Sequence, residues 1–202
     1  MRDTPGSGFE STRTRDIAVT ALYAIIVALL LRVFVLAAYE IPSHSMEETL
    51  LAGDYIVVSK LTYVFRDIRR GDIITFKHRD TINTKQYDLF IKRVVGLPGD
   101  TLQFTPDGII VNGTPLLTPP EAKIPTSPLL SSMTPGTAVV VGKDSVFVVG
   151  DNRRNSFDSR YWGGVPVEEV TGTPLFIYWS RGPSTSNPLP HIRWERIFNG
   201  IH

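Results

Sequence analysis

Three stretches of this chain carry side chains that could do covalent chemistry. Ser45 stands in Ile41-Pro-Ser-His-Ser-Met-Glu-Glu-Thr-Leu50. A serine hydroxyl is a weak nucleophile and needs a base beside it. Without one, the stretch is a solvated linker whose serines do nothing. Lys92 stands in Leu89-Phe-Ile-Lys-Arg-Val-Val-Gly-Leu-Pro-Gly-Asp100. Read as a strand, its period of two sets Phe90, Lys92 and Val94 on one face. A lysine between apolar neighbours on a core-side face is costly while charged, so burial lowers its pKa and frees it to act as a base. The alternative turns Lys92 outward, with Ile91, Arg93 and Val95 facing the other way. The third stretch, Gly150-Asp-Asn-Arg-Arg-Asn-Ser-Phe-Asp-Ser-Arg160, follows the apolar run Val146–Val149. Such dense hydrogen-bonding capacity can build a rigid loop in which Asp158 and Arg160 pair; the alternative is a long polar turn. His44 invites a Ser–His reading with Ser45. Adjacent residues on an extended chain point in opposite directions, however, and a catalytic base has to arrive from a distant part of the chain.

Composition removes several other chemistries. The 202 residues contain no cysteine, which excludes disulfides, thiolate zinc sites, iron–sulfur clusters and a cysteine nucleophile. His44, His78, His191 and His202 are the four histidines, and no two stand at metal-ligand spacing. Neither a catalytic metal nor a cofactor is expected. Lys+Arg numbers 21 and Asp+Glu 20, a balance that argues against a nucleic-acid partner bound through a basic surface. Hydrophobic residues make up 42%, enough to bury the core of one domain with a small appendage.

The elements that must position these residues begin with residues 17–39, IAVTALYAIIVALLLRVFVLAAY, in which only Arg32 is charged. About 20 apolar residues span a bilayer, so a membrane helix is expected over 16–38 with Arg32 snorkelling near its outer edge. A buried soluble helix would not be apolar on every side, and a cleavable signal peptide has a shorter apolar core. Residues 1–15 read as a polar tail. Arg2, Arg13 and Arg15 precede the span, while Glu40, Glu47, Glu48 and Asp54 follow it before the first basic residue, Lys60. The positive-inside rule then puts the N-terminus in the cytoplasm and residues 39–202 on the outer face. Ser45, six residues past Tyr39, would lie within about 20 Å of the membrane surface.

Beyond the span, short runs rich in Val, Ile and Phe alternate with turn signals such as Pro98-Gly99-Asp100 and Asn112-Gly113. Tyr55–Val58, Asp72–Phe76, Phe90–Val95, Thr101–Phe104, Ile109–Val111, Val139–Val141, Val146–Val149 and Leu175–Trp179 read as strands. The expected fold is mostly β, an antiparallel domain of sandwich-like or barrel-like form behind one N-terminal helix. Residues 114–136 hold six prolines and read as an inserted loop or peripheral lobe.

Together these segments resemble bacterial type I signal peptidases, also called leader peptidases. Four ordered blocks carry the resemblance: Pro42-Ser-His-Ser-Met46 with Thr49-Leu50, Arg70-Gly-Asp-Ile-Ile-Thr-Phe76, Lys92-Arg-Val-Val-Gly-Leu-Pro-Gly-Asp100, and Gly150 to Arg160. It covers the chain from the anchor to about residue 180. The resemblance implies a membrane-bound serine endopeptidase of the bacterial cytoplasmic membrane that removes signal peptides from exported preproteins after a small-x-small motif. Its partners would be secretory preproteins, the lipid bilayer and the protein export machinery. It implies that Ser45 is the nucleophile and Lys92 the general base. Ser43 would join the Ser45 backbone N–H in the oxyanion hole, Ser156 would hydrogen-bond and orient the lysine, and Asp158 and Arg160 would support the site as an ion pair. Two positions depart from the pattern: the family usually has Gly where this chain has His44, and Pro where it has Glu48. Other readings of the same residues are a Ser–Lys maturation peptidase with one dedicated substrate, a self-cleaving repressor, which the anchor disfavours, and a non-catalytic membrane-tethered β domain that binds export partners.

Overall fold

The computed structural model describes residues 8–79, 87–105, 108–116, 138–182 and 191–201. Helix α1 (Gly8–Leu30) continues as a short π-helical turn, Leu31–Val35, before strand β1 (Leu36–Glu40). The helix thus starts inside the stretch expected as a tail, and Leu36–Ala38, expected at the end of a span, lie in a strand. Propagating an existing helix into a polar flank costs little, whereas Leu36–Ala38 gain a ladder by pairing with Val57–Ser59. Arg13–Val35 is long and apolar enough to cross a membrane, and none of it is buried against the rest of the protein. Most of the Pro-rich stretch, residues 117–136, lies outside the described residues.

The strands that follow are β2 (Asp54–Ser59), β3 (Ile73–Arg79), β4 (Tyr87–Gly96), β5 (Thr101–Thr105), β6 (Gly108–Val111), β7 (Thr114–Pro115), β8 (Ala138–Val140), β9 (Ser145–Val149), β10 (Val165–Pro166), β11 (Val170–Gly182) and β12 (His191–Ile192). Single helical turns, α2 (Thr62–Phe65) and α3 (Ser159–Trp162), interrupt them. Every pairing among the described residues is antiparallel. The larger sheet runs β1-β2-β11-β3-β4-β9-β10 with β12 on β11, and the smaller runs β7-β6-β5-β8; both are open. The fold is therefore mostly β and antiparallel, as the alternating runs indicate. The two-residue strands carry too few side chains to show a period, and β1 is hidden in the apolar run that precedes it.

Alternation does the sorting. In β2, Asp54, Ile56 and Val58 are buried, and in β5, Leu102 and Phe104. Val95, Leu102, Phe104, Ile109, Phe147 and Val149 form the core that joins the two sheets. Gly96 sits there because a Cβ would come within 2.9 Å of Leu102 and Val141 side chains. A second cluster unites Ile41, Met46 and Leu50 with Ile56, Val58, Ile73 and Ile177. It pins the loop between β1 and β2 at both ends. The third, Ile74, Phe76, Val94, Val146, Val148 and Val165, lies under β4, with Phe90 and Trp162 packed against it.

Candidate active site

The loop 41–53 carries Ser45. Its neck is closed by the Ile41 N–H donating to the Asp54 carbonyl and the Gly53 N–H to the Ile41 carbonyl, each at 2.8 Å. Met46 and Leu50 are fully buried, so the residues flanking Ser45 are plugged into the core while Ser43 and His44 stay exposed. Glu48 adopts φ 89°. Proline, with φ fixed near −65°, could not take that conformation. The glutamate where the resemblance leads one to expect proline therefore goes with a locally different backbone.

Lys92 lies on β4 with 3% of its surface exposed, and Ser45 with 8%. The pairing of β3 with β4 sets Ile74 opposite Lys92 and Phe76 opposite Phe90, so the lysine occupies the apolar, core-side face. Its Nζ donates to Ser45 Oγ at 2.8 Å and to the Ile91 carbonyl at 3.0 Å. The Phe90 ring centroid lies 5.5 Å from the same nitrogen. Burial pushes the Lys92 ammonium down from 10.5 to about 8, against the pull of the Asp158 and Asp151 carboxylates, with Arg160 adding to the lowering. When the amine is neutral, the same separation lets the serine hydroxyl donate to nitrogen. Residues 45 and 92 are 47 positions apart, and the sheet brings them into contact.

Ser43 Oγ is 3.2 Å from Ser45 Oγ. Among the described residues the Ser45 N–H has no hydrogen-bond partner, which leaves a backbone donor beside a hydroxyl. His44 sits in the cleft wall, and its backbone carbonyl accepts from Asn152 Nδ2 at 3.1 Å. The groups that hydrogen-bond the Ser45 hydroxyl are Lys92 and Ser43.

The loop after β9 supplies the support. Asp158 is fully buried and accepts from the Gly150 N–H at 2.9 Å, from Ser156 Oγ at 2.6 Å, and from Arg160 Nε and Nη2 at 2.8 Å each. The Ser156 proton goes to the carboxylate, which leaves the hydroxyl's lone pairs as acceptors, the role in which a serine would hydrogen-bond a lysine N–H. Gly150 separates this cluster from the nucleophile: a Cβ there would collide with Ser156 Oγ and with the Ser45 carbonyl. The Asn152 N–H donates to that same carbonyl at 3.1 Å.

A second ion pair went unforeseen. Arg93 grips Asp151 with Nε and Nη2, both at 2.8 Å, and Thr49 Oγ1 donates to Asp151 at 2.6 Å. The only hint in sequence is an arginine directly after Lys92 and before the apolar pair Val94-Val95. Among the described residues, no group of three or more His, Cys, Asp or Glu side chains is placed to hold a metal.

Ser43, His44, Ser45, Leu89, Phe90, Lys92 and Phe157 are among the residues that line a mainly apolar cleft of about 470 Å³. The edge of β4 at residues 88–92 that faces away from β3 has no strand partner among the described residues, because the ladder to β9 begins at Arg93.

A family model described as signal peptidase, peptidase S26, matches residues 14–179. A probable signal peptidase I-2 from Synechocystis sp. is 38% identical over 178 residues, covering 88% of this chain and 75% of its own. A signal peptidase I from Bacillus caldolyticus is 37% identical over 165 residues, covering 77% of this chain and 86% of its own. Among solved structures, a signal peptidase I from Enterococcus faecalis V583 aligns with a TM-score of 0.39 at 28% identity, over 54% of this chain and 97% of its own.

Proposed function

Because this chain belongs to the signal peptidase family, peptidase S26, we propose that its hydrolysis of peptide bonds is carried by a Ser45–Lys92 dyad. The 2.8 Å contact between a buried lysine and a serine hydroxyl at a cleft wall is the observation that supports this. Neutral Lys92 takes the proton of Ser45, and Oγ attacks the scissile carbonyl. The oxyanion is met by the Ser45 N–H and the Ser43 hydroxyl, donors already in place before charge develops. Protonated Lys92 gives its proton to the leaving amine. The lysine then activates the water that releases the acyl group, and the enzyme returns to its starting state.

With Lys92 at about 8, roughly a tenth of the molecules carry the neutral base at pH 7. At the ordinary value of 10.5 that share would be roughly 300-fold smaller. Asp158, held by Arg160, orders Ser156 and Gly150 behind the dyad.

The substrate is the signal-peptide segment of an exported preprotein. The edge of β4 at residues 88–92, without a strand partner among the described residues, suits an extended chain added as a strand, whose alternate side chains enter the apolar cleft. A small-x-small preference would have small side chains enter the cleft lined by Leu89, Phe90 and Phe157. The apolar helix Arg13–Val35 anchors the enzyme in the membrane, with Arg13 and Arg15 on the cytoplasmic side and the β domain on the opposite face. Incubating detergent-solubilised protein with several preproteins, and locating the cuts by mass spectrometry, tests this reading. Cuts after small-x-small that vanish in Ser45→Ala are expected. Cleavage by folded Ser45→Ala would overturn it.

A further inference from the structure

The far side of the nucleophile loop is held by a network that the chemistry above does not use. Asp54, the first residue of β2, is fully buried and accepts from two guanidinium groups. Arg196 reaches its Oδ2 at 2.6 Å and Arg193 its Oδ1 at 3.3 Å, while Ser180 Oγ donates to Oδ1 at 2.6 Å. Arg193 precedes the 3₁₀ turn Trp194–Arg196 and Arg196 ends it, and the turn belongs to a segment folded back along β11. Each also reaches past the carboxylate to the loop itself. Arg196 Nη2 donates to the Thr49 carbonyl at 2.9 Å, and Arg193 Nη2 to the Ala52 carbonyl at 2.8 Å. The Leu51 N–H donates to Asp54 Oδ2 at 2.8 Å, so carboxylate and arginines together engage backbone groups of Thr49, Leu51 and Ala52 in the loop's second half.

Thr49 is where this network meets the catalytic side. Its carbonyl is taken by Arg196, and its hydroxyl donates to Asp151, which Arg93, the neighbour of Lys92, also grips. Thr49 is four residues from Ser45, and Met46 and Leu50, on either side of it in sequence, are fixed in the core. A path of hydrogen bonds therefore runs from the C-terminal turn through Thr49 to the strand that bears the base.

We propose that Arg196, braced on Asp54, is a positioning residue for the reaction: by holding the Thr49 carbonyl it sets the Ser45 loop against Lys92. The inference rests on Ser45 as nucleophile. An ion pair with Asp54 needs only a cation, whereas holding the carboxylate and the Thr49 carbonyl at once needs the planar fork of a guanidinium. Arg196→Lys therefore separates positioning from charge. It keeps a cation for Asp54 and loses the simultaneous reach to Thr49.

The test measures kcat and KM for a preprotein, together with hydrogen exchange at the amides of residues 45–50, in the full chain with Arg196→Lys and with Arg196→Met. A displacement of about 1 Å at a reacting atom costs up to about 100-fold in rate. Arg196→Lys is expected to lower kcat about 10-fold or more with KM little changed and with faster exchange at those amides. The acid limb of its pH profile should move upward as water reaches Lys92. If Arg196→Met does not fold, the lysine variant alone decides. Unchanged exchange in Arg196→Lys overturns the positioning role whatever kcat does. Faster exchange with unchanged kcat also overturns it, and cleavage by Ser45→Ala, measured alongside, tells whether the fault lies in the positioning role (no cleavage) or in Ser45 as nucleophile (cleavage retained).

Discussion

Replacing Lys92 by methionine removes the base and, unusually for a catalytic substitution, should stabilise the fold. Methionine has similar length and no charge to bury. The lysine titrates at about 8 in the folded protein against 10.5 in an exposed chain. The folded state therefore holds its proton less firmly than the unfolded state, and folding is penalised wherever the unfolded chain is protonated. The penalty is complete below pH 8, falls as pH rises from 8 towards 10.5, and is gone above that. At pH 7 it amounts to about 3 kcal/mol, and at pH 9 to about 2 kcal/mol. Lost hydrogen bonds to Ser45 and Ile91 offset about 1 kcal/mol of the gain. Lys92→Met should thus be more stable by about 2 kcal/mol at pH 7, which raises Tm by roughly 4–8 °C for a chain of this size. Thermal unfolding followed by circular dichroism in detergent measures this. The advantage should shrink by about 1 kcal/mol between pH 7 and pH 9. A variant less stable than the parent at pH 7, or a difference that does not change with pH, would refute the claim that Lys92 is buried at a cost.

Three further substitutions probe the rest of the site. Ser43→Ala should lower kcat on the order of 10²–10³-fold with little change in KM, since one oxyanion donor is removed; a change confined to KM would make Ser43 a binding residue instead. His44→Gly should keep most of the cleavage rate and can raise it, because the imidazole makes no hydrogen bond to Ser45; a loss close to that of Ser45→Ala would mean the base has been misassigned. Gly150→Ala should all but abolish turnover in preprotein assays, since its Cβ would collide with Ser156 Oγ and the Ser45 carbonyl; near-normal turnover would show that the loop gives way without disturbing the dyad.

The parts of this molecule that are legible in sequence are those with a period or a charge in an unexpected place. Phe90, Lys92 and Val94 alternate onto one face, so the strand can be read directly, but the period alone leaves open whether Lys92 points inward or outward; the β3–β4 register sets it on the core side. Ser45 is different. Nothing in its own segment separates a nucleophile from an idle linker serine, and only the resemblance of four blocks tied it to Lys92. The Asp158–Arg160 pair lies two residues apart and could be guessed. Arg93–Asp151 and Arg196–Asp54 join residues 58 and 142 positions apart, and no local rule pairs them. β1 has no signature of its own, because Leu36–Ala38 are as apolar as the helix before them. Its strand character comes only from its pairing with β2. The direction of the Ser156 hydroxyl is likewise a tertiary fact, settled by which acceptor the folded loop places nearest.

Cleavage of a preprotein by folded Lys92→Arg tests the dyad most directly. Arginine keeps the positive charge and approximate length, but it does not deprotonate in the working range and cannot accept the serine proton. The parent enzyme should gain activity as pH rises, with an apparent pKa of about 8 in the acid limb of kcat/KM. Lys92→Arg, shown to be folded by circular dichroism, should be nearly inactive at every pH. Near-normal turnover in that variant, with the acid limb still present, would contradict the account, because it would mean that position 92 serves only as a cation and the base lies elsewhere.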